Sequence, residues 1–290
     1  MLQTIKNKLL TSATLSHYLY KNTHSRAFFG LIGLAIKEMS VAPAQFFSIN
    51  YPIRSTIHLF QIYCSIFMRL ILGRNVKLSY GFHGEDRILE GMLKPKIGYR
   101  GYYVEVGSNH PKFLSNTFGF YRKGWRGVCI DANEKLIKLH RRLRPRDWAI
   151  ASLVSDSKTY RTFYSVENNV LSTTSIQNLI VIKEEGLVYT SEKKPTDTLT
   201  DILLACHAPS VFDLLSVDAE EHDFEVLAGL DWRAFSPKVV VVEDETFDPS
   251  TADKNPIYVL LTTKGYQLEG YILKNLYFSR INKKINNSYN

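Results

Sequence analysis

Three short stretches hold residues able to do chemistry. Gly107, Ser108 and Asn109 follow an apolar run, Tyr102 to Val106, that carries one acid, Glu105. Asp131 closes a second apolar run that begins at Gly127. Asp218, Glu220 and His222 crowd the end of a third, Val211 to Asp218. A glycine after a strand lets backbone approach a ligand closely, and a helix start offers free N–H donors to a carboxylate or phosphate. An acid ending the neighbouring strand can accept both hydroxyls of a ribose. Together these describe a nucleotide-type pocket at the carboxyl edge of a parallel sheet. No GxGxxG run is present, which disfavours a dinucleotide enzyme. Asp131 also suits the N-cap of a helix before Glu134, and the two roles can coexist.

The third stretch suits proton transfer. Asp218 and Glu220 stand where a strand delivers side chains to such a pocket, and His222 titrates in the right range. Asp218 is the first choice as base or orienter. The alternative is that Glu220 to Asp223 cap the next helix and favour its positive end. Asp218, Glu220 and Glu243 or Asp244 could also offer oxygen ligands to Mg²⁺, although clustered carboxylates are more often simply solvated. His110 could face an acceptor, but reads more simply as a surface-loop residue.

The elements that must position these groups alternate along the chain. The pattern predicts strands at Tyr102–Val106, Gly127–Asp131, Trp148–Val154, Val211–Asp218 and Lys238–Glu243, with an additional strand at Tyr160–Tyr164. It predicts helices at 88–93, 117–123, 136–143, 198–205, 222–230 and 255–263, with Pro256 at the last start. A closing antiparallel pair is expected near Tyr266–Leu268 and Leu276–Phe278. Residues 165–195, rich in Ser, Thr, Asn and Lys, read as a long loop that covers the pocket or helps bind an acceptor. This is an α/β chain with a doubly wound, mostly parallel sheet and a C-terminal antiparallel hairpin. It forms a domain over 81–281, preceded by a mainly helical extension over 1–80 and followed by a polar tail, 282–290.

Composition limits the partners. Of the net +8 charge, residues 1–100 hold +9 and the remainder −1, so basicity belongs to the N-terminal part. A merely solvated basic face and a polyanionic surface both fit. No dense basic run interleaved with aromatics occurs, which argues against nucleic acid. The apolar runs Ala27–Ile36 and Ile57–Leu72 fall short of a bilayer span of roughly 20 residues. They suit a buried helix, an amphipathic helix on a membrane surface or, less well, a span. Three cysteines, Cys64, Cys129 and Cys206, with no CxxC pair and no secretory signal pattern, point to the cytoplasm.

Taken in order, Tyr103-Val104-Glu105-Val106-Gly107-Ser108-Asn109, Gly124-Trp125-Arg126-Gly127 before Ile130-Asp131, and Leu214-Leu215-Ser216-Val217-Asp218-Ala219-Glu220 resemble the FkbM-type methyltransferases. Ser115-Asn116-Thr117, Leu143-Arg144-Pro145-Arg146-Asp147 and Pro237 to Glu243 extend the likeness over about residues 80–280. The resemblance implies a class I, Rossmann-like methyltransferase that uses S-adenosylmethionine to O-methylate sugars or other natural-product hydroxyls. It implies that Gly107, Ser108 and Asn109 turn beneath the methionine part and that Glu105 holds its ammonium. Asp131 and Ala132 would meet the ribose, Ala149 and Ile150 would flank the adenine, and Asp218 would border both cofactor and acceptor. In one place the chain departs from the family, which usually has glycine where Glu221 stands. This departure leaves a second reading, a non-catalytic binding or scaffold protein that keeps the fold and uses its basic N-terminal helices at a membrane surface.

Overall fold

The computed structural model describes residues 79–166, 173–184 and 186–281, together with Cys64 and Phe67. The chain divides into two compact units, Met1–Ser79 and Tyr80–Asn290. The expected N-terminal helices and the polar tail lie outside the described residues. Strands β1 (Tyr102–Val106), β2 (Arg126–Asp131), β3 (Trp148–Ala151), β4 (Leu153–Ser155), β5 (Tyr160–Val166), β6 (Tyr189–Thr198), β7 (Val211–Val217), β8 (Ser236–Glu243), β9 (Tyr266–Ile272) and β10 (Asn275–Arg280) follow in chain order. Between them run α1 (Glu85–Leu93), α2 (Phe118–Arg122), α3 (Glu134–Leu143), α4 (Ile176–Glu184), α5 (Leu199–Ala205), α6 (Asp223–Ala228) and α7 (Pro256–Thr263).

Seven strands form one sheet in the order β3-β2-β1-β7-β8-β10-β9, parallel except for β10, which runs against both neighbours. This is the class I arrangement. The chain winds outward from β1 to β3, then returns to place β7 on the other side of β1. That reversal opens a crevice beyond the carboxyl ends of β1 and β7, where open α/β sheets bind ligands.

Alternation explains the two covered faces. Val104, Val128, Ile130, Leu215, Val217, Val240 and Val242 are buried with Leu203, Val226, Leu227 and Leu261 in one cluster. The intervening Tyr103, Cys129, Leu214, Val239 and Val241, also buried, point to the opposite face. With both sides covered, the strands read as near-continuous apolar runs.

The segment expected to be one long loop holds more structure than that. β5 extends to Val166, α4 follows, and β6 pairs in parallel with β4 and antiparallel with β5 in a second, three-stranded sheet. β6 reads YTSEKKPTDT and is largely exposed, so its pairing is backbone-driven and leaves no apolar alternation in the sequence. The expected third strand is likewise two: β3 belongs to the main sheet and β4 to the small one.

Candidate active site

Register brings the functional residues together. Val106 stands opposite Ile130 on one side and Val217 on the other, and Val217 stands opposite Val242. The next residue along each strand is therefore Gly107, Asp131, Asp218 or Glu243. All four line one cavity of about 220 Å³.

The cofactor side begins at Gly107, whose φ is +72. A Cβ there would lie 1.6 Å from the Asp218 carbonyl oxygen, so only glycine fits. The Asp218 N–H donates to Val106 O and the Ser108 N–H to Ile130 O, each at 3.0 Å, which ties the turn to both flanking strands. Asn109, at φ +41, donates its N–H to Asp131 Oδ2 at 2.8 Å, and its carbonyl lies 2.9 Å from His140 Nε2. Asp131 Oδ1 accepts the Asn133 N–H at 2.8 Å. Burial raises the Asp131 carboxyl from its ordinary range, against the pull of these two donors. A carboxylate has about four acceptor positions, so both oxygens keep capacity for further donors. Asp131, Ala132 and Asn109 all line the cavity; Ser108 is buried beneath it and does not.

Glu105 has a different place from the one expected. It does not line the cavity. Its carboxylate accepts from Ser115 Oγ at 3.2 Å, the Asn116 N–H at 3.0 Å and Thr117 Oγ1 at 2.5 Å, and lies 3.5 Å from Arg144 Nη1. Arg144 is fully buried, bonds Asp147 at 2.7 Å and donates to the Tyr103 hydroxyl at 2.9 Å. Burial raises the Glu105 carboxyl and the guanidinium opposes that rise. The acid is thus committed to a network under the turn and is not free to grip an ammonium.

Ala149 and Ile150 are likewise displaced. They pair with Cys129 and Ile130, one to two residues before the sheet edge. The cavity lies past that edge, so its wall is made by Ser152, Leu153 and Val154, with Phe163 nearby.

The remainder of the cavity wall, where the sequence places the proton-transfer candidates, is crowded with acids. Asp218 opens to the cleft, yet burial and then the adjacent Glu243 carboxylate push its carboxyl well above the ordinary range. Glu220 is pushed up to about 7, by burial first and Glu243 next, with Lys274 opposing. Asp223, which accepts the Ala219 N–H at 2.8 Å, rises to about 8 for the same leading reason. His222 lines the cavity, but its Nε2 lies 3.1 Å from Ser155 Oγ and burial lowers its pKa, so it is neutral. Among the described residues no group of His, Cys, Asp or Glu could hold a metal ion, so the Mg²⁺ expectation finds no support. His110 is absent from the cavity wall and accepts the N–H groups of Lys112 and Phe113 in its own turn.

Glu221 adopts φ +68 directly after Glu220 at +52. Two consecutive left-handed residues therefore make the turn here, with a carboxylate at the position where the sequence resemblance leads one to expect glycine. Sequence reasoning missed Lys274, Asn275 and Asn116 on the cavity wall. Lys274 sits between β9 and β10 and reaches the site only because β10 inserts beside β8, a pairing with no local signal. Asn116, whose amide donates to Ser216 Oγ at 3.1 Å, stood out in the sequence only as part of the Ser115-Asn116-Thr117 likeness.

The topology and the cleft describe a methyltransferase of the S-adenosylmethionine-dependent class. Residues 105–268, more than half of the chain, match the Methyltransferase FkbM domain, and the chain belongs to that family. Among solved structures it is similar to a TehB-like SAM-dependent methyltransferase from Corynebacterium glutamicum. The two share 12% identity over 78% of this chain and 100% of the other, with a TM-score of 0.37. No curated protein matches it.

Proposed function

We propose that the enzyme methylates a hydroxyl oxygen of a saccharide, glycoconjugate or related natural product. The observation that carries this reading is Glu220: a carboxyl pushed up to about 7, on the wall of the cavity that Gly107 and Asp131 also line. An alcohol is a weak nucleophile at neutral pH, and a base of matched pKa is what its methylation needs.

S-adenosylmethionine, when bound, supplies a methyl group on a sulfonium that leaves as a neutral thioether. Asp131 would accept the ribose hydroxyls, the turn at Gly107 would support the methionine part, and Ser152 to Val154 would flank the adenine. Asp218 would orient the acceptor hydroxyl toward the methyl group. As the new C–O bond forms, Glu220 takes the hydroxyl proton. Alignment and exclusion of water supply much of the acceleration.

Incubating the full chain with tritiated-methyl S-adenosylmethionine and a glycan extract tests the acceptor class. Label in alkali-stable O-methyl sugars supports the proposal; label confined to alkali-labile esters or to protein sinks it. Calorimetry tests the cofactor side separately: Asp131→Ala should weaken S-adenosylmethionine by about tenfold or more, since two charge-assisted hydrogen bonds go. Unaltered affinity would move the ribose elsewhere.

The three cysteines are unpaired, which favours a cytoplasmic setting. No helix among the described residues is long and apolar enough to cross a membrane. The +9 charge of residues 1–100 supports a peripheral contact with an anionic membrane through residues 1–80. Flotation of the full chain with anionic but not neutral liposomes is the expected result.

A further inference from the structure

The acids around Glu220 share the cleft with one fixed cation. Among the described residues, Lys274 is the single lysine or arginine on the cavity wall. It stands between β9 and β10, on the far side of β8 from Asp218. Its ammonium pairs with Glu243, the last residue of β8, and lies 3.0 Å from Glu245 Oε1. Glu243 is buried and adjoins Asp218 through the β7–β8 register. The pair thus bridges the acceptor side of the cleft to the C-terminal hairpin, an element none of the proposed chemistry uses.

We propose that Lys274 and Glu243 are positioning residues for proton removal, an ion pair of opposed charges that sets whether Glu220 is free to take the acceptor proton. The proposal rests on the reading of Glu220 as proton acceptor.

Most of the neighbouring elements contribute a titratable or charged group to the balance. Asp218 follows the last residue of β7, and the turn itself carries Glu221. His222 and the buried Asp223 come from the start of α6. Glu243 and Glu245 come from the end of β8 and beyond it, while His83 and Glu85, the first residue of α1, also line the cavity. Asn178 of α4 donates to Glu220 Oε2 at 3.4 Å and brings no charge. Acids dominate this set, and Glu243, Glu245 and Glu221 hold the proton on Glu220. Lys274 pulls the other way, favouring the ionised base. The pairing with Glu243 keeps the long lysine side chain in the cleft despite 38% exposure.

The two partners should therefore move Glu220 in opposite directions, which mere loss of structure would not do. The full chain labelled with carbon-13 at glutamate carboxyls reports the titration directly, the Glu220 signal being the one lost in Glu220→Gln. Lys274→Ala should raise its midpoint by roughly half to one pH unit, Glu243→Gln should lower it by a similar amount, and Lys274→Arg should restore it. The acid limb of kcat/KM for methyl transfer, measured with tritiated S-adenosylmethionine and the glycan extract, should follow the same order. If both midpoints stay put, or both move the same way, this proposal falls while the acceptor reading stands. If the midpoints shift and the kinetic limb does not, Glu220 is not the proton acceptor and both fall.

Discussion

The two walls of the cleft are built on opposite principles. Beneath the cofactor side, the buried carboxylates of Glu105 and Asp147 have a fixed partner of opposite charge, although Ser108 Oγ and His140 Nδ1 have no hydrogen-bond partner. Arg144 alone bonds Asp147, the Tyr103 hydroxyl and Thr117 Oγ1, and its guanidinium lies 5.2 Å from the Tyr121 ring centre. On the other wall, Asp218, Glu220 and Asp223 face Glu243, and all three carboxyls are raised by burial first and also by the Glu243 carboxylate. Opposite charges satisfied in place give a rigid surface; like charges left unsatisfied give groups that exchange protons near neutral pH. A methyl donor needs the first and an alcohol acceptor needs the second. Variants on the two walls should therefore fail differently.

The largest effect belongs to Arg144→Ala. It strands two buried carboxylates, Glu105 and Asp147, and opens a cavity beneath the turn. Loss on the order of 5 kcal/mol is expected by urea denaturation, enough to leave many domains unfolded. A loss under about 1 kcal/mol would mean that water already serves this network. Gly107→Ala comes next. Its Cβ would strike the Asp218 carbonyl, so β1 and β7 must part where the cleft begins. About 3 kcal/mol of stability and the whole of S-adenosylmethionine binding should go, read by denaturation and calorimetry.

How much of this was legible in the sequence follows the same division. The sheet and the Gly107–Asp131 pair could be read because they depend on local runs, such as Tyr102–Val106, and on one glycine followed by polar residues. The role of Glu105 could not, since its position in a strand does not reveal that Arg144, 39 residues later, will reach it. Ala149 and Ile150 were misplaced by a register that only the pairing with β2 fixes. The acidic stretch Asp218–Asp223 was visible as charge, but its proton affinity depends on Glu243 arriving beside it. Lys274 needed the hairpin's place in the sheet.

A smaller effect sharpens the contrast through pH. Asp223 is raised from 3.8 to about 8 in the folded protein. Its contribution to stability is therefore complete below the unfolded value and is lost as pH rises through about 8. Asp223→Asn holds no proton to lose, and its carbonyl can still accept the Ala219 N–H. The variant should gain on the wild type by about 1 kcal/mol between pH 7 and 9, measured as the difference in Tm at each pH. A variant that instead loses ground as pH rises would mark a carboxylate ionised in the fold, favoured by the start of α6.

Glu221→Gly should change stability least and is the finest probe of the acceptor wall. A left-handed residue other than glycine costs roughly 1 kcal/mol, which the substitution relieves. Against that stand the extra freedom of glycine in the unfolded chain, about 0.5–1 kcal/mol, and the lost hydrogen bond from Ser175 Oγ to Glu221. These offset one another, so the net change should stay within about 0.5 kcal/mol. The charge does not cancel. Glu221 is one of the acids that raise Glu220, so its removal should lower the Glu220 midpoint from about 7, measured by carboxyl titration. A stability gain well above 1 kcal/mol would show a strained turn; an unmoved Glu220 would show that water screens Glu221 completely. The second result would leave the charge balance on Glu220 to Glu243, Glu245 and Lys274.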